Sequence, residues 1–471
     1  MQVSRYAVWA ETEHGDAVFS GVSGALLPLQ PGERRCIETF VATGEPTGVS
    51  PERLKELVQA RVLVASDRSE LETLRARYNR SKYDSAVLSL TLITSLGCNF
   101  DCPYCYESKR PSLMNPEVQQ AILDMVDDGR SRLTELNVTW MGGEPLVGKN
   151  SLYALAEQLI ERCDQYGIEY SSDIVTNGWL LDEATAQRLV DLRCTHAQVT
   201  IDGPPDLHNS MRPYVGGGPT FDRIVENLTQ VADIIPISVR VNIDESNLYR
   251  SEELFEILDA AGLRGRLTVY PAKMTYYEDN PDAPVATYQN RCYSSEEFAS
   301  VELDFNELAR RYGFARFTAP QPSGVACSAL AANALVIGSE GEVWKCWDDV
   351  GNNERTIGDI RNYRDLSSEG LLPWLSFNPA DDPQCSTCVA LPVCMGGCLH
   401  LTQAGHPREA QCGSFRFNHE ERVRRATIES YGGTFEATSL ATLDLSRAAQ
   451  HMGATSTVAV QLSRKPAVAA R

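Results

Sequence analysis

Apolar and polar positions alternate in a regular order through the middle of the chain, between about Asp84 and Met274. Short apolar runs typical of β-strands occur at 87–95, 136–141, 172–176, 196–201, 237–243 and 267–271. Between them lie stretches with helical character at 115–133, 151–166, 182–192, 221–233 and 251–261. Strict alternation of strands and helices implies parallel strands joined by crossover helices. The pattern therefore predicts an α/β domain over residues 86–318 with six strand–helix repeats.

Two further regions flank this domain. Residues 1–85 contain a predicted hairpin over 6–19, a helix over 51–60 and a short strand over 62–65, which together predict a small α+β domain. Residues 319–425 combine short runs and turns with most of the remaining cysteines. The tail over 426–471 is predicted to be partly disordered, because beyond Gly453 it is rich in Ala, Ser, Thr and Val without an apolar period.

The composition limits the classes of function. The formal net charge of −20 argues against a nucleic-acid partner, because the phosphate backbone would repel the protein. No apolar run approaches the roughly 18 residues that a membrane span needs, and the first residues lack the pattern of a signal peptide. We therefore expect a cytoplasmic protein without a membrane partner. Its fourteen cysteines would stay reduced there, and their clustering favours metal binding over disulfides.

Three cysteines follow the first predicted strand in the string Cys-Asn-Phe-Asp-Cys-Pro-Tyr-Cys, at Cys98, Cys102 and Cys105. Structural zinc sites use four ligands, so three cysteines on a single loop suit zinc poorly. Three thiolates do suit a [4Fe–4S] cluster, which then keeps one iron open for another ligand. The alternative is three unrelated thiols of the core.

Further polar motifs follow the later predicted strands. They are Gly142-Gly143-Glu144-Pro145 after the second strand, Thr176-Asn177-Gly178 at the end of the third, and Asp202-Gly203 at the end of the fourth. Arg240 and Asn242 lie near the end of the fifth strand. In barrels of parallel strands the chemistry lies at the C-terminal ends of the strands. These motifs are therefore predicted to share one rim with the cysteine loop.

The cysteine string has an aromatic residue before its third cysteine and resembles the signature of the radical S-adenosylmethionine (radical SAM) enzymes. Gly142-Gly143-Glu144-Pro145 is similar to the Gly-Gly-Glu-Pro element of the same family. The resemblance implies a partial (β/α)6, TIM-like barrel in which the three cysteines hold a [4Fe–4S] cluster. It also implies that the open iron binds the amino and carboxylate groups of SAM, whose reductive cleavage releases a 5′-deoxyadenosyl radical.

The same resemblance implies a binding site for SAM. Its expected residues are Tyr104, Gly142, Gly143, Glu144, Pro145, Asn177, Thr200, Asp202 and Arg212. Tyr104 would lie against the adenine, and the Gly-Gly-Glu-Pro element would hold the amino group. Thr200 and Arg212 match residues that contact the ribose and the carboxylate of SAM in the family. Asn177 is equally typical of a turn, and His208 is expected to order the loop that leads to Arg212.

Seven cysteines in the C-terminal region follow a second pattern, at Cys327, Cys346, Cys385, Cys388, Cys394, Cys398 and Cys412. Their order is similar to that of the SPASM domain, which carries two auxiliary iron–sulfur clusters in some radical SAM enzymes. A pair of zinc ribbons is the alternative. By this resemblance the outer cluster is held by Cys385, Cys388, Cys394 and Cys412, and the inner cluster by Cys327, Cys346 and Cys398. The fourth ligand of the inner cluster is Cys292, or the site is open and binds a substrate thiolate.

Family members with this extension mostly modify peptides or proteins. The resemblance therefore implies a peptide maturase that uses SAM and three [4Fe–4S] clusters, and that is reduced by a flavodoxin or ferredoxin. It would form a thioether or another crosslink in a ribosomally made peptide. One alternative is an anaerobic sulfatase-maturing enzyme, which converts Cys or Ser to formylglycine. Another is a non-catalytic iron–sulfur electron carrier.

Two aspartates are candidate catalytic bases, Asp348 and Asp349. Sulfatase-maturing members of the family carry an aspartate directly after the cysteine that matches Cys346, where this chain has Trp347. This departure counts against that activity, and a role as solvated turn residues stays open for both aspartates.

The layout of residues 1–85 resembles small peptide-recognition domains fused to such enzymes, and a structural extension of the barrel is the alternative.

Overall fold

The computed structural model of the chain describes residues 1–275, 282–288 and 292–432. The predicted disorder beyond Gly453 concerns residues outside this part of the chain. The predicted boundary at residue 425 falls within the last described helix, Phe415–Ser430.

The N-terminal region contains both strands and helices. Its elements are β1 (Gln2–Val3), β2 (Ala7–Ala10), β3 (Asp16–Ser20), β4 (Leu26–Leu29), α1 (Glu33–Thr43), α2 (Pro51–Gln59), β5 (Leu63–Val64) and α3 (Glu70–Lys82). The predicted hairpin is confirmed, since β2 and β3 pair antiparallel with Ala7 opposite Ser20. The predicted helix over 51–60 corresponds to α2, which begins after the capping side chain of Ser50. Strand β4 and helices α1 and α3 were not predicted from the sequence.

The central region has the predicted order of strands and helices. Its strands are β6 (Val87–Ile93), β7 (Glu135–Met141), β8 (Glu169–Thr176), β9 (Cys194–Thr200), β10 (Ile237–Ile243) and β11 (Thr268–Lys273). Its helices are α4 (Pro116–Gly129), α5 (Lys149–Tyr166), α6 (Glu183–Asp191), α7 (Pro205–Met211), α8 (Phe221–Val231), α9 (Ser251–Ala260) and α10 (Ser295–Arg311). Neighbouring strands from β6 to β11 all pair parallel, which confirms the α/β prediction.

The helices begin where the sequence supplies capping groups. The Asn115 side chain accepts a hydrogen bond from the backbone of Val118 at 3.0 Å, at the start of α4. The Asp182 side chain accepts one from Thr185 at 2.8 Å, at the start of α6. Both side chains satisfy backbone N–H groups that the first helical turn leaves without partners.

The two faces of the parallel sheet differ in polarity. On β7, Leu136, Val138 and Trp140 are buried in the main core, on the side of the helices. The alternate positions carry polar side chains that bond across strands, such as Thr139, which donates to Asp173 at 3.1 Å. Because successive side chains of a strand point to opposite faces, the inner face of this partial barrel is polar.

The C-terminal region extends the same sheet. Its elements are β12 (Ala334–Ile337), β13 (Glu342–Trp344), β14 (Gly358–Asp359), α11 (Ser368–Ser376), α12 (Leu391–Cys394), α13 (Leu399–Gln403) and α14 (Phe415–Ser430). Strand β12 pairs parallel with β6, and β13 and β14 then add antiparallel. Within the described residues the sheet has nine strands, in the order β11-β10-β9-β8-β7-β6-β12-β13-β14. The cysteine-rich region is thus joined to the barrel by backbone hydrogen bonds next to the first strand.

The N-terminal region packs against the cysteine-rich region. Tyr6 and Tyr78 share an apolar cluster with Leu391 and Met395. The buried ammonium of Lys82 donates to the carbonyl groups of Trp374 and Phe377. Among the helices that the structure describes, none is long and apolar enough to cross a membrane.

Candidate active site

The loop between β6 and α4 carries Cys98, Cys102 and Cys105. Burial is the main cause that raises the pKa of all three thiols, and Cys102 adds to this effect at both Cys98 and Cys105. The thiols of Cys98 and Cys105 are therefore both within electrostatic reach of Cys102, in a place that is shielded from water. Thiols in such a place favour a bound metal, because a cation stabilises the thiolate form. A donor set of three sulfur atoms fits a [4Fe–4S] cluster with one open iron.

The loop is held against the end of β7 by backbone hydrogen bonds. The N–H of Gly143 donates to Ser95 at 3.1 Å, and the N–H of Glu144 donates to Gly97 at 3.0 Å. A Cβ atom on Gly143 would lie 2.7 Å from the carbonyl oxygen atoms of Leu96 and Gly97. Glycine is required here because the two backbones are in contact. The Gly-Gly-Glu-Pro element therefore positions the cysteine loop as well as forming part of the rim.

Glu144 is fully buried at the junction of β7 and β8. Its carboxylate accepts hydrogen bonds from the backbone of Leu146 at 3.1 Å, the hydroxyl of Thr176 at 2.7 Å and the backbone of Asn177 at 2.7 Å. Burial raises the pKa of Glu144, and these three hydrogen bonds oppose that rise. The single bond to Oε2 leaves this oxygen able to accept another donor, such as an ammonium group.

Asn177 connects this junction to the cysteine loop. Its side-chain amide donates to Asn99 at 2.8 Å and lies 4.0 Å from the sulfur of Cys98. The amide oxygen of Asn177 accepts a hydrogen bond from the backbone of Trp179 at 3.0 Å. Asn177 therefore has both the turn geometry and the proximity to the cysteine loop that the sequence left as alternatives.

Tyr104 lies at the centre of a polar cluster formed by the ends of β9 and β10. Its hydroxyl donates to the carboxylate of Asp202 and accepts from Arg212 at 2.6 Å and Asn242 at 3.3 Å. Asp202 also lies 3.8 Å from the guanidinium of Arg212 and accepts from the backbone of Asn242 at 3.0 Å. Thr200 is buried at the end of β9, opposite Arg240 in the sheet. The expected SAM residues that follow the third and fourth strands thus lie on the same rim as the cysteine loop, together with Asn242 of the fifth strand.

His208 has the loop-ordering contact that we expected. The backbone N–H of Asp202 donates to its Nδ1 atom at 3.2 Å, and the ring is fully buried. Burial, followed by the charge of Arg212, lowers the pKa of His208 well below its usual value. A neutral imidazole at this position fixes the backbone that carries Asp202.

The inner cysteine group consists of Cys327, Cys346 and Cys398. Burial, and then the carboxylates of Asp348 and Asp349, raise the pKa of the Cys346 thiol. The carboxylate of Asp348 also contributes to the raised pKa of Cys327 and of Cys398, for both of which burial is the main cause. Cys327 packs against the apolar cluster that contains Cys346. The charges of Cys398 and Cys327 also add to the raised pKa of Cys346, so the three cysteines belong to one group. This donor set fits an iron–sulfur cluster that requires one further ligand.

Cys292 lies near the end of β11. Burial, followed by the carboxylate of Asp244, raises the pKa of its thiol to about 11, and Lys273 lowers it. Burial also lowers the pKa of Lys273 to about 7, against the opposing effects of Cys292 and Cys398. Lys273 is therefore within electrostatic reach both of Cys292 and of Cys398 in the inner cysteine group.

The outer cysteine group lines a single cavity. Cys385, Cys388, Cys394 and Cys412 surround it, and Arg416 closes one side. Four cysteines around one cavity fit a fully ligated cluster. Arg408 and Arg416, which we did not predict as site residues, donate to the sulfur atoms of Cys385 and Cys412 at 2.9 and 3.0 Å.

Tyr106 links the cysteine loop to the inner cysteine group. Its ring packs against the apolar cluster that contains Trp344 and Val350, and also against the cluster that contains Val285 and Leu401. Burial, followed by the charges of Glu107 and Asp348, raises the pKa of Tyr106 well above its usual value. This role was not predictable from the sequence, because Tyr106 belongs to no motif and its neighbours come from distant parts of the chain.

A second contact joins the two regions. Gly351 lies so close to the cysteine loop that an added Cβ atom would approach the backbone nitrogen of Ser108 to 2.9 Å. The backbone N–H of Val285 also donates to the carbonyl of Cys105 at 3.0 Å. The cysteine loop and the inner cysteine group therefore form adjoining walls of one site.

The sequence pattern of the Radical SAM superfamily matches residues 92–263, from the end of β6 to just after α9. These residues form a radical SAM domain. The match covers the cysteine loop, the Gly-Gly-Glu-Pro element and the Tyr104–Asp202–Arg212 cluster. The radical SAM domain implies SAM and a [4Fe–4S] cluster, and the cysteine-rich C-terminal region is consistent with a SPASM domain.

Similar proteins include enzymes that act on proteins and peptides. A serine-type anaerobic sulfatase-maturating enzyme of Klebsiella pneumoniae is 23% identical over 338 residues, which span 68% of this chain and 82% of that enzyme. A PqqA peptide cyclase of Granulibacter bethesdensis is 28% identical over 183 residues, which span 38% of this chain and 45% of the cyclase.

The radical SAM domain also has solved structural neighbours. The structure described as native anSMEcpe with bound AdoMet matches with a TM-score of 0.53 and 16% identity, and the match covers 73% of this chain and 98% of that chain. This likeness supports the fold of the barrel and of the region that follows it.

Proposed function

We propose that this protein is a radical SAM maturase that oxidatively modifies a ribosomally made peptide or a protein, forming a thioether or another crosslink. The observation that carries this proposal is the position of Tyr106. It lies one residue after Cys105 and packs against the same apolar cluster as Cys398 of the inner cysteine group. A substrate held between these walls would contact the SAM site and the cysteine-rich region together.

The residues of the rim have distinct roles in this proposal. Cys98, Cys102 and Cys105 hold the first cluster, and the free position on Oε2 of Glu144 receives the amino group of SAM. Arg212 binds the carboxylate of SAM, because a guanidinium and a carboxylate can form two parallel hydrogen bonds. Tyr104 lies against the adenine, with its ring fixed by the three hydrogen bonds of its hydroxyl.

The remaining expected residues complete the SAM site. Thr200 contacts the ribose, and Asn177 and Asp202 hold the neighbouring backbone and side chains in place. When bound, SAM and the first cluster supply a 5′-deoxyadenosyl radical, and two auxiliary [4Fe–4S] clusters supply an outlet for one electron. In this assignment Cys385, Cys388, Cys394 and Cys412 hold the outer auxiliary cluster, and Cys327, Cys346 and Cys398 hold the inner one.

The chain itself orients the substrate and removes a proton. The polar inner face of the barrel, with side chains such as Thr139, Ser171 and Asp173, offers hydrogen-bond partners to an extended peptide. Asp348 is partly exposed, and its charge acts on the thiol of Cys346 in the inner cysteine group. We assign Asp348 as the base that accepts the substrate proton. Asp349 is almost fully buried next to His400 and Arg355, so it is less accessible to a substrate.

Sulfatase maturation is the second candidate function. The relative from Klebsiella pneumoniae supports it, since the matched residues span most of both chains. Trp347 stands between Cys346 and the first aspartate and argues against it. The two functions make the same use of SAM and differ only in the substrate and the product.

We further propose that a flavodoxin or ferredoxin reduces the first cluster and that the protein works in the cytoplasm. None of its fourteen cysteines, which all lie in the described part of the chain, forms a disulfide. Free thiols in this number fit a reducing compartment.

Mass spectrometry of candidate substrates tests the proposal. The reconstituted protein is incubated without oxygen with SAM, dithionite and either the short peptides encoded beside its gene or a sulfatase-derived Cys peptide. We expect one of the neighbouring peptides to lose two hydrogen atoms while 5′-deoxyadenosine forms in step. Conversion of only the sulfatase peptide to an aldehyde would assign the enzyme to sulfatase maturation.

Two sets of variants serve as controls. Cys→Ala at Cys98, Cys102 or Cys105 should abolish the cleavage of SAM. Cys→Ala at Cys385 or Cys412 should leave some cleavage but block the product. Unchanged product formation after the latter substitutions would contradict the role of the outer cluster as an electron outlet.

A further inference from the structure

Three buried side chains of different chemistry meet at the inner cysteine group. The sulfur of Cys346, a carboxylate oxygen of Asp349 and a ring nitrogen of His400 all lie within 4.8 Å of one another. Asp349 is 4% exposed and His400 is 1% exposed, so bulk water does not solvate either group. A sulfur, a nitrogen and an oxygen atom at this spacing form a potential metal site, and one of the three residues is already an expected cluster ligand.

The position of His400 in the chain brings it to the same site. Cys398 is the N-cap of α13, and His400 is the second residue of that helix. The backbone N–H of His400 donates a hydrogen bond to the thiol of Cys398. His400 is therefore anchored next to Cys398 by its backbone and next to Cys346 by its side chain.

Asp349 lies where it can orient the imidazole. Its Oδ1 atom is 3.3 Å from Nδ1 of His400 and 3.5 Å from the guanidinium of Arg355. Metal-binding histidines commonly direct one ring nitrogen to a carboxylate and the other to the metal. A carboxylate near Nδ1 favours the tautomer with the proton on Nδ1 and the lone pair on Nε2.

We propose that His400 is the fourth protein ligand of the inner auxiliary cluster and that Asp349 is its positioning residue. The proposal rests on the auxiliary clusters of the proposed function and deepens it. Imidazole is an established ligand of iron in iron–sulfur centres. It replaces Cys292 in the ligand set, because a ring nitrogen of His400 lies within 4.8 Å of the sulfur of Cys346.

This ligand has a consequence for the reaction. With Cys327, Cys346, Cys398 and His400 bound, the inner cluster has no open iron for a substrate thiolate. The cluster then serves in electron transfer, and the substrate is held by the polar inner face of the barrel and by the side chains around Tyr106 and Asp348.

Nitrogen hyperfine spectroscopy tests the proposal without measuring activity. The full-length protein is reconstituted without SAM, so that no amino group of SAM is present, and is reduced and examined by pulsed electron paramagnetic resonance. We expect about twelve irons per chain, four for each cluster, and a strong coupling from a directly bound nitrogen. Labelling with ¹⁵N-histidine should change this coupling.

Variants identify the nitrogen. His400→Cys should retain the iron content and lose the coupling, because a thiolate replaces the imidazole at the cluster. Cys292→Ala should retain both the iron content and the nitrogen coupling. The control variant His14→Ala, in the exposed turn of the N-terminal hairpin, should retain them as well. Asp349→Asn should keep the iron but alter the coupling and the reduction potential of the inner cluster.

The possible failures differ from one another. Twelve irons without a histidine coupling would overturn the assignment of His400 and leave the proposed function intact. Loss of the inner cluster in Cys292→Ala, with an unchanged cluster in His400→Ala, would assign the ligand to Cys292. About eight irons in the wild-type protein, equal to two clusters, would overturn both this proposal and the three-cluster assignment.

Discussion

The guanidinium of Arg408 donates a hydrogen bond to the sulfur of Cys385 at 2.9 Å. Arg408 is itself held by Asp382, whose carboxylate accepts from its Nε atom at 2.8 Å. Arg416, which lines the cavity of the outer cysteine group, makes the equivalent contact with Cys412 at 3.0 Å. Two cations therefore contact sulfur atoms of the outer cysteine group. Reduction adds negative charge to a cluster, so these contacts should favour the reduced form and raise the reduction potential.

We expect Arg408→Gln to lower the reduction potential of the outer cluster. Product formation should slow, because the outlet accepts an electron less readily, while cleavage of SAM continues. A redox titration followed by electron paramagnetic resonance measures the potential. Arg424→Gln, a change on α14 that removes a partner of Glu421, is the matched control and should leave the potential unchanged. An equal potential in both variants would contradict the role of Arg408.

Tyr104→Phe tests the polar cluster at the rim. The change removes the hydroxyl that Asp202, Arg212 and Asn242 share. A buried polar group that loses its partner costs about 1–3 kcal/mol, so the free energy of unfolding should fall by that amount in a urea titration. The affinity for SAM should also fall, because Arg212 loses the contact that fixes its position. Tyr83→Phe, at a hydroxyl on a 54% exposed side chain, should change neither quantity by more than a few tenths of a kcal/mol.

Gly143→Ala tests the contact between the Gly-Gly-Glu-Pro element and the cysteine loop. The new methyl group would meet two backbone carbonyl oxygens at 2.7 Å, and these cannot move without moving the loop. Overpacking of this kind costs about 1–3 kcal/mol. We expect loss of iron from the first cluster together with this loss of stability, measured by iron analysis and urea titration.

Gly216→Ala is the comparison for Gly143→Ala. Gly216 has a φ of 83° and no atom within 4 Å of an added Cβ. Its substitution should cost only about 1 kcal/mol for the backbone conformation, with an unchanged iron content. A full set of irons in Gly143→Ala would show that the glycine does not position the loop.

Asp173 on the inner face of the barrel provides a test by pH. Burial raises its pKa to about 6, although the hydrogen bond from Thr139 acts in the opposite direction. The folded state therefore binds the proton of Asp173 more tightly than the unfolded state, whose pKa is near 3.8. Below about pH 4 the group is neutral in both states, and as the pH rises through 6 it costs the folded state free energy.

Asp173→Asn, which resembles the protonated acid, should remove this cost. We expect the variant and the wild-type protein to have similar stability near pH 4. Above pH 6 the variant should be more stable than the wild-type protein by about 2 kcal/mol. This is less than the whole pKa shift of Asp173 between the unfolded and folded states would give, because the side chain is partly hydrated. Urea titrations between pH 4 and 7.5 measure this difference. A difference that is independent of pH would show that the carboxyl is not perturbed.

The sequence was informative where one segment alone determines the chemistry. The spacing of Cys98, Cys102 and Cys105 and the glycines before Glu144 are local features, and the strand–helix period gave the parallel sheet. Strand β12 was missed because it has only four residues and becomes a strand by pairing with β6, from a distant part of the sequence. Asn177 shows the limit of a local signal, since the same side chain forms the turn and approaches Cys98.

The positions of Tyr106, His400 and Arg408 were not predictable in this way. Each acquires its role from neighbours that are distant in sequence or that lie outside any motif. His400 follows Cys398 closely, but only the fold brings its ring to Asp349 and Cys346. The hydrogen bond from Arg408 to Cys385 joins residues 23 positions apart, and only the fold brings them together.

Asp348→Asn tests the assignment of the base. Its carboxylate lies within electrostatic reach of Tyr106 and of the inner cysteine group, and the side chain is partly exposed. General bases typically contribute about 10²–10⁴ to a rate, so we expect product formation to fall at least 10²-fold. Formation of 5′-deoxyadenosine should continue, because the residues that hold SAM are unchanged. Mass spectrometry of the peptide and chromatography of the nucleoside measure the two rates separately. Asp365→Asn, at an exposed position outside the site, is the control, and in it the peptide product and 5′-deoxyadenosine should form at the same relative rates as in the wild-type protein. The same relative rates in Asp348→Asn would rule out this base.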